Sequence, residues 1–179
     1  LILVQVPIYF LIDDLWFYGA HRLMHENKWM MKKIHSIHHR AVTPFPMEYI
    51  YVHPLEWMMG SVGTFIGLFV FLAIGGGEAF IIPFWIFAAL RNLHEIEIHS
   101  DVKSIIGDKI PLLAPTEHHD THHARSKGNY ASTFRIWDRV FNTEIKLKQK
   151  AKVKTEARKA DPKAKMNIQP VSASLVEKV

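Results

Sequence analysis

The 179-residue chain contains no cysteine, which excludes disulfides and thiolate metal sites and leaves nitrogen and oxygen as the donors available to a metal. Its net charge of +5 is unevenly spread: residues 146–179 hold ten Lys/Arg against three Asp/Glu, so the remainder is slightly acidic. Basic residues beside hydrophobic segments suit anionic lipid headgroups, and nucleic acid is not expected as a partner.

The opening run LILVQVPIYFLI is apolar, with neither a basic leader region nor a small-residue cleavage site. It reads as the end of a transmembrane helix, not a signal peptide, and further membrane segments are expected upstream. Residues 8–25 continue as a helix that turns polar at HRLMH; Asp13 and Asp14 either leave hydrocarbon there or face a polar interior. Residues 27–40, NKWMMKKIHSIHHR, predict a second, amphipathic helix of the kind that lies at a membrane surface, broken by Pro44 and Pro46.

From Leu55 to Asn92 the chain is apolar except around Gly75-Gly76-Gly77-Glu78. Each half is close to the ~20 residues that cross a bilayer, which predicts a hairpin of two spans; a buried hairpin of a soluble protein is the alternative. Residues 100–117, with Pro111 and Pro115, read as loop, and 130–141 as a closing aromatic helix. The expected architecture is all-α: a membrane helical bundle of transmembrane hairpins with a cytosolic, histidine-rich di-metal cap. It fills a domain at 1–145, followed by a basic, disordered tail at 146–179.

The twelve histidines all lie between positions 21 and 123. His21 and His25 form HxxxH; His35, His38 and His39 form HxxHH; His119, His122 and His123 form HxxHH again. Helical residues at i, i+3 and i+4 share a face, so HxxxH presents two imidazoles side by side, and HxxHH presents two plus a neighbour turned aside. Three such elements supply eight imidazoles, enough for two metals with open positions and too many for one zinc. The zinc-protease pattern HExxH is absent, since His94-Glu95 continues as HEIEIH. A histidine-rich metal transporter and a bis-histidine haem protein remain as rivals. The first normally places ligands inside spanning helices, and the second needs only two histidines.

The segments DDLWFYGAHRLMH, KKIHSIHHR, TPFPMEYIYVHPLE, EIHS, EHHDTHH and GNYASTFRIWDRVFNTE, in that order, resemble the fatty acid hydroxylase/sterol desaturase superfamily, and its methylsterol-oxidising branch in particular. The resemblance implies a membrane-bound, O2-dependent monooxygenase with two non-haem iron ions and electrons from NAD(P)H through cytochrome b5 or a similar carrier. It implies the endoplasmic reticulum with a cytosolic catalytic face, or a bacterial inner membrane, and a lipid substrate, a 4-methylsterol foremost. A fatty-acyl or sphingolipid hydroxylase and a C5-sterol desaturase are the alternatives. The family's ligand positions carry over to His21, His25, His35, His38, His39, His99, His119, His122 and His123. His53, His118, Glu97 and Asp120 are further candidates, as added ligands or as groups orienting a ligand, and His94 is left outside the set. One departure falls after His99: many sterol-oxidising relatives read roughly HSGYDFP, whereas this chain reads HSDVKSIIGDKIP, which puts the sterol substrate in question.

Overall fold

The structure is a computed structural model, and it describes residues 2–40, 45–75, 81–104, 107 and 109–145. The basic tail at 146–179, most of the glycine-rich interruption and Pro44 lie outside the described residues. Among the described residues six α-helices follow in order: α1 (Ile2–Glu26), α2 (Lys28–Met30), α3 (Pro54–Ile74), α4 (Ile81–Ile98), α5 (Thr116–Arg125) and α6 (Ile136–Val140). No strand occurs among the described residues beyond one isolated bridge, Leu113 to Phe134.

α1 is the hub, packing along α3 and against α4. Its approach to α3 depends on small residues. A Cβ at Gly63 would stand 2.9 Å from the Asp13 Cα and carbonyl oxygen, and one at Gly67 would stand 2.7 Å from the Tyr9 ring. Removing those methyl groups lets two apolar helices meet backbone to side chain, the usual device where lipid supplies no hydrophobic drive between helices. Tyr9 then stacks on Phe87 of α4 with centroids 5.3 Å apart. Deeper along α1, Asp13 accepts from Arg91 Nε of α4 at 2.5 Å and from Thr64 Oγ1 of α3 at 2.8 Å. A buried charge is tolerable only when paired, so this trio fixes the rotation of all three helices.

α3 starts where His53 caps it: Nδ1 accepts from Leu55 N at 3.1 Å, and Pro54 follows in the first turn, where its missing N–H costs nothing. At 21 residues α3 is about 31 Å long, enough for a ~30 Å hydrocarbon layer. α1 and α3 are both long and apolar enough to cross a membrane. Only 11% of α3's most apolar stretch is buried inside the protein, and Phe65, Phe69 and Ile74 are exposed. The core helix of a soluble protein would be mostly buried, so this surface needs lipid or another apolar partner. α4 passes no such test; its last turns are polar, LHEIEI, and enter the histidine region.

Between α1 and α3 the chain departs from one amphipathic helix. Asn27 caps a single α turn, accepting from Trp29 N and Met30 N, after which Met31–His35 widens to a π-turn and His38–Arg40 tightens to a 3₁₀ turn. Such irregular turns re-aim side chains, and frequently mark functional sites. The predicted closing helix at 130–141 is likewise shorter. Only Ile136–Val140 is helical, because two buried carboxylates hold the preceding backbone N–H groups outside a helix. Asp14 accepts from Thr133 N, Phe134 N and Trp137 Nε1, and Asp138 accepts from Tyr130 N and Ala131 N.

Candidate metal centre

Nine imidazoles gather at one end of the bundle as two adjoining sets. The first holds His21, His25, His35, His39 and His122; the second holds His38, His99, His119 and His123. Within each set the donor atoms lie within 4.8 Å of one another. All nine expected ligand positions fall in these sets, and none of the other three histidines does.

The motif spacing explains how the sets are dealt out. Each i,i+4 pair goes to one set: His21 with His25 on α1 and His119 with His123 on α5 share a helical face, and His35 with His39 spans the π-turn and the 3₁₀ turn. The remaining member of each HxxHH crosses over, so His38 joins the second set and His122 the first. His99, just past the end of α4, completes the second set.

The ring orientations are decisive for what the sets can hold. In the first, Nδ1 faces outward on every ring: His21 donates to Tyr130 O at 2.7 Å, His25 to Ser126 O at 3.1 Å and His122 to Gly128 O at 2.7 Å. His35 Nδ1 meets Glu56 Oε1 at 2.8 Å, and His39 Nδ1 meets Ser126 Oγ at 3.3 Å. A carbonyl oxygen only accepts, so those Nδ1 atoms carry the proton and the neutral rings present bare lone pairs at Nε2. Those Nε2 atoms converge. His25 stands 3.1 Å from His122, 2.8 Å from His35 and 3.1 Å from His39, and His21 stands 3.1 Å from His35. Lone pairs facing at this distance repel unless a cation lies among them. Metal–nitrogen bonds of ~2.1 Å at right angles put neighbouring nitrogens about 3.0 Å apart, which matches these separations.

The second set repeats the pattern: His119 Nε2 lies 3.0 Å from His99 Nε2 and 3.1 Å from His123 Nε2, with His99 to His38 at 3.5 Å. His99 Nδ1 donates to Glu95 O at 2.7 Å. Burial, reinforced by neighbouring imidazoles, holds His38, His119 and His122 far below the ordinary imidazole pKa, and brings His39 down to about 3. These rings are therefore neutral at pH 7, the form in which an imidazole can bind a metal. The donor set thus fits two nitrogen-preferring ions of the iron or zinc type.

The other candidates sit elsewhere. His53 caps α3, and His118 Nε2 bonds Asp138 Oδ2 at 2.9 Å. Glu97 accepts from Ser104 Oγ at 2.8 Å, and Asp120 is buried on α5. His94 Nε2 approaches Ser132 O at 3.1 Å. Glu56, which orients His35, was not singled out from sequence, because an acid three residues after the capping His53 reads as an ordinary helix-start residue.

The carbonyls that receive the Nδ1 protons of the first set lie on alternate residues, Ser126, Gly128 and Tyr130, along one short loop. Gly128 has φ +73°, and a Cβ there would meet Thr143 O at 2.7 Å, so the loop requires glycine at that point. Asp138 anchors the loop from behind; its hydrogen bonds to His118, Thr143 and backbone hold its pKa below the usual carboxylate range despite burial.

A cavity opens onto both sets. His21 and His35 of the first and His38, His99 and His119 of the second line it, whereas His25, His39, His122 and His123 do not. Its other walls come from α1, α3 and α4, including Phe17, Trp57, Gly60 and Ala88. The lining is mixed: Phe17, Val52, Trp57 and Ala88 supply apolar wall, and Glu56, Thr64, Arg91 and Glu95 supply polar groups beside the imidazoles.

The sequence pattern of the family described as "Fatty acid hydroxylase" matches residues 6–143. The chain belongs to the fatty acid hydroxylase family. Among named relatives it is similar to methylsterol monooxygenase 1 of Rattus norvegicus, 38% identical over 136 residues, or 75% of this chain and 44% of the relative. Against methylsterol monooxygenase 1 of Gallus gallus it is 39% identical over 146 residues, covering 79% and 47%. Against methylsterol monooxygenase 2-2 of Arabidopsis thaliana it is 34% identical over 145 residues, covering 78% and 52%. The chain spans about half the length of the curated relatives it matches. No solved structure matches it.

Proposed function

We propose that this fatty acid hydroxylase family chain carries the catalytic core of a membrane-bound, O2-dependent non-haem di-iron monooxygenase that oxidises a sterol, with 4-methylsterols as the leading substrates. The observation that carries the reading is the pair of imidazole sets opening onto one cavity walled in part by Phe17, Trp57 and Ala88. The names of the relatives supply the substrate class, and the exposed apolar length of α3 supports a bilayer setting. In a eukaryotic cell that setting is the endoplasmic reticulum, with the histidine end in the cytosol.

The residues divide the work. His21, His25, His35, His39 and His122 would hold one ion; His38, His99, His119 and His123 would hold the other. When bound, the two irons supply O2 activation and an oxidant strong enough for an unactivated C–H bond. The backbone carbonyls of Ser126, Gly128 and Tyr130, together with Glu56, keep the Nδ1 protons in place, so each ring offers Nε2 inward without reorganisation. Phe17, Trp57 and Ala88 give the substrate's ring system an apolar bed and exclude water from the reaction. The Asp13–Arg91–Thr64 trio keeps those walls in register.

The test is to purify the protein with all the segments its relatives possess, reconstitute it with ferrous iron and count metal by mass spectrometry. About two irons per chain, with NAD(P)H- and O2-dependent oxidation of a 4-methylsterol, is the expected result. Equal or better turnover of a fatty-acyl lipid would move the substrate, and bound metal without O2 consumption would point to metal transport.

A further inference from the structure

The nine imidazoles divide by which side of the centre they serve. Five line the substrate cavity; His25, His39, His122 and His123 do not. Two of these, His25 and His39, are the half-buried members of otherwise buried sets, and both reach one exposed residue, Ser126. His25 Nδ1 donates to its carbonyl at 3.1 Å, and His39 Nδ1 contacts its hydroxyl at 3.3 Å. Ser126 caps α5 in the left-handed region (φ 49°), which turns the chain outward there and exposes its neighbours Arg125 and Lys127. A surface residue in hydrogen-bond contact with two ligand rings, flanked by two cations, is a short route between the exterior and the metals.

We propose that electrons enter the centre at this Ser126 corner, from a one-electron carrier whose acidic face docks on Arg125 and Lys127. The inference rests on the di-iron reading above. Each encounter oxidises the carrier by one electron and reduces one ferric ion to ferrous, with no bond made or broken. Transfer through bonds and short hydrogen bonds falls steeply with distance, so a carrier at Ser126 has only one contact and one imidazole to cross. Carrier and substrate then use different rings, and the cavity stays filled and dry while the centre is reduced. Charge complementarity favours an acidic protein surface. Exposed residues 124–127 carry no large apolar side chain to sink into lipid, unlike the segment at Lys28–Lys33 with its exposed Trp29.

The experiment uses the full-length, iron-loaded protein in detergent and the soluble haem domain of cytochrome b5 as the acidic carrier. Binding is measured by titration, the reduction of the ferric centre by stopped flow, and bound iron by mass spectrometry. Arg125→Glu with Lys127→Glu should weaken carrier binding about tenfold and slow reduction in parallel, with iron content and cavity-ligand binding unchanged. The milder Arg125→Gln/Lys127→Gln pair should give a smaller loss in the same direction, and salt should erase the difference between wild type and variants. Unchanged carrier binding in both variants, with iron still bound, overturns the corner and leaves the di-iron reading intact. Loss of binding to equimolar phosphatidylserine–phosphatidylcholine vesicles, with carrier binding retained, also overturns it and makes the corner a lipid contact. A wild-type protein that takes up no iron fails the earlier reading instead.

Discussion

The two imidazole sets have the same kind of donors but are supported differently. In the first, all five Nδ1 atoms have a partner: three backbone carbonyls, Glu56 and the Ser126 hydroxyl. In the second, His99 donates to Glu95 O, whereas the buried Nδ1 atoms of His38 and His119 have no hydrogen-bond partner among the described residues. Outer hydrogen bonds fix ring tautomer and raise ligand basicity, so the first set is the pre-organised one. The contrast teaches that two metal positions built from the same motifs need not bind alike; the difference lies in backbone that carries no motif.

The sharpest way to break the comparison is to remove a crossing ligand. His122→Ala should cost the first set its ion and reduce bound iron by about half or more, whereas His94→Ala should leave iron content unchanged, both read by mass spectrometry. Chelator titration of the wild type comes next: the second set should release its ion first, with an affinity gap of about 10–100-fold. Glu56→Ala should narrow that gap by weakening the first set by a similar factor, and Glu56→Gln, which keeps an acceptor for His35, should weaken it less. A smaller effect is expected away from the metals. Gly63→Ala pushes a methyl group to 2.9 Å from Asp13 and should cost about 1–3 kcal/mol by thermal unfolding in detergent, with iron stoichiometry retained in the folded fraction.

Acid gives the gentlest probe, because it acts on the apoprotein without changing a residue. His39 is held to about 3 by burial and by neighbouring imidazoles, and His38, His119 and His122 are lowered as well. Below about 6.5 the unfolded chain takes up protons that the folded sets refuse. Apoprotein stability is therefore full above pH ~6.5 and should fall steadily as the pH drops from there towards about 3. A flat profile across that window, by denaturation at stepped pH, would contradict the burial of these rings.

Much of the centre was legible because ligand spacing is a local property: i,i+4 pairs meet on any helical turn, whatever the rest of the fold does. The long apolar helix at 54–74 was legible for the same reason. The meeting of the motifs in space was not. It depends on the packing of α1, α4 and α5 and on the π-turn and 3₁₀ turn between Met31 and Arg40, which break the single amphipathic helix that the pattern predicts. The supporting acids were hidden too. Asp14 stands out as an acid at the end of an apolar run, but its partners lie about 120 residues away in sequence, and Asp138, with partners up to 20 residues away, carries no local mark of its role. Glu56 resembles a capping residue until the fold brings His35 to it.

The loop at 126–130 has a consequence for how the protein is made. Its carbonyls steady rings on α1 that precede it by 101 and 109 residues, and Asp14 grips backbone 119 residues downstream. α1 thus leaves the ribosome long before the segment that aligns His21 and His25 exists. The imidazoles reach their final geometry only when synthesis has passed Thr143, which closes the loop onto Asp138. A nascent chain stalled before that point would hold the long apolar helices and loose histidines but no finished pair of imidazole sets, and any metal capture in the final geometry is thereby deferred until the protein around it is complete.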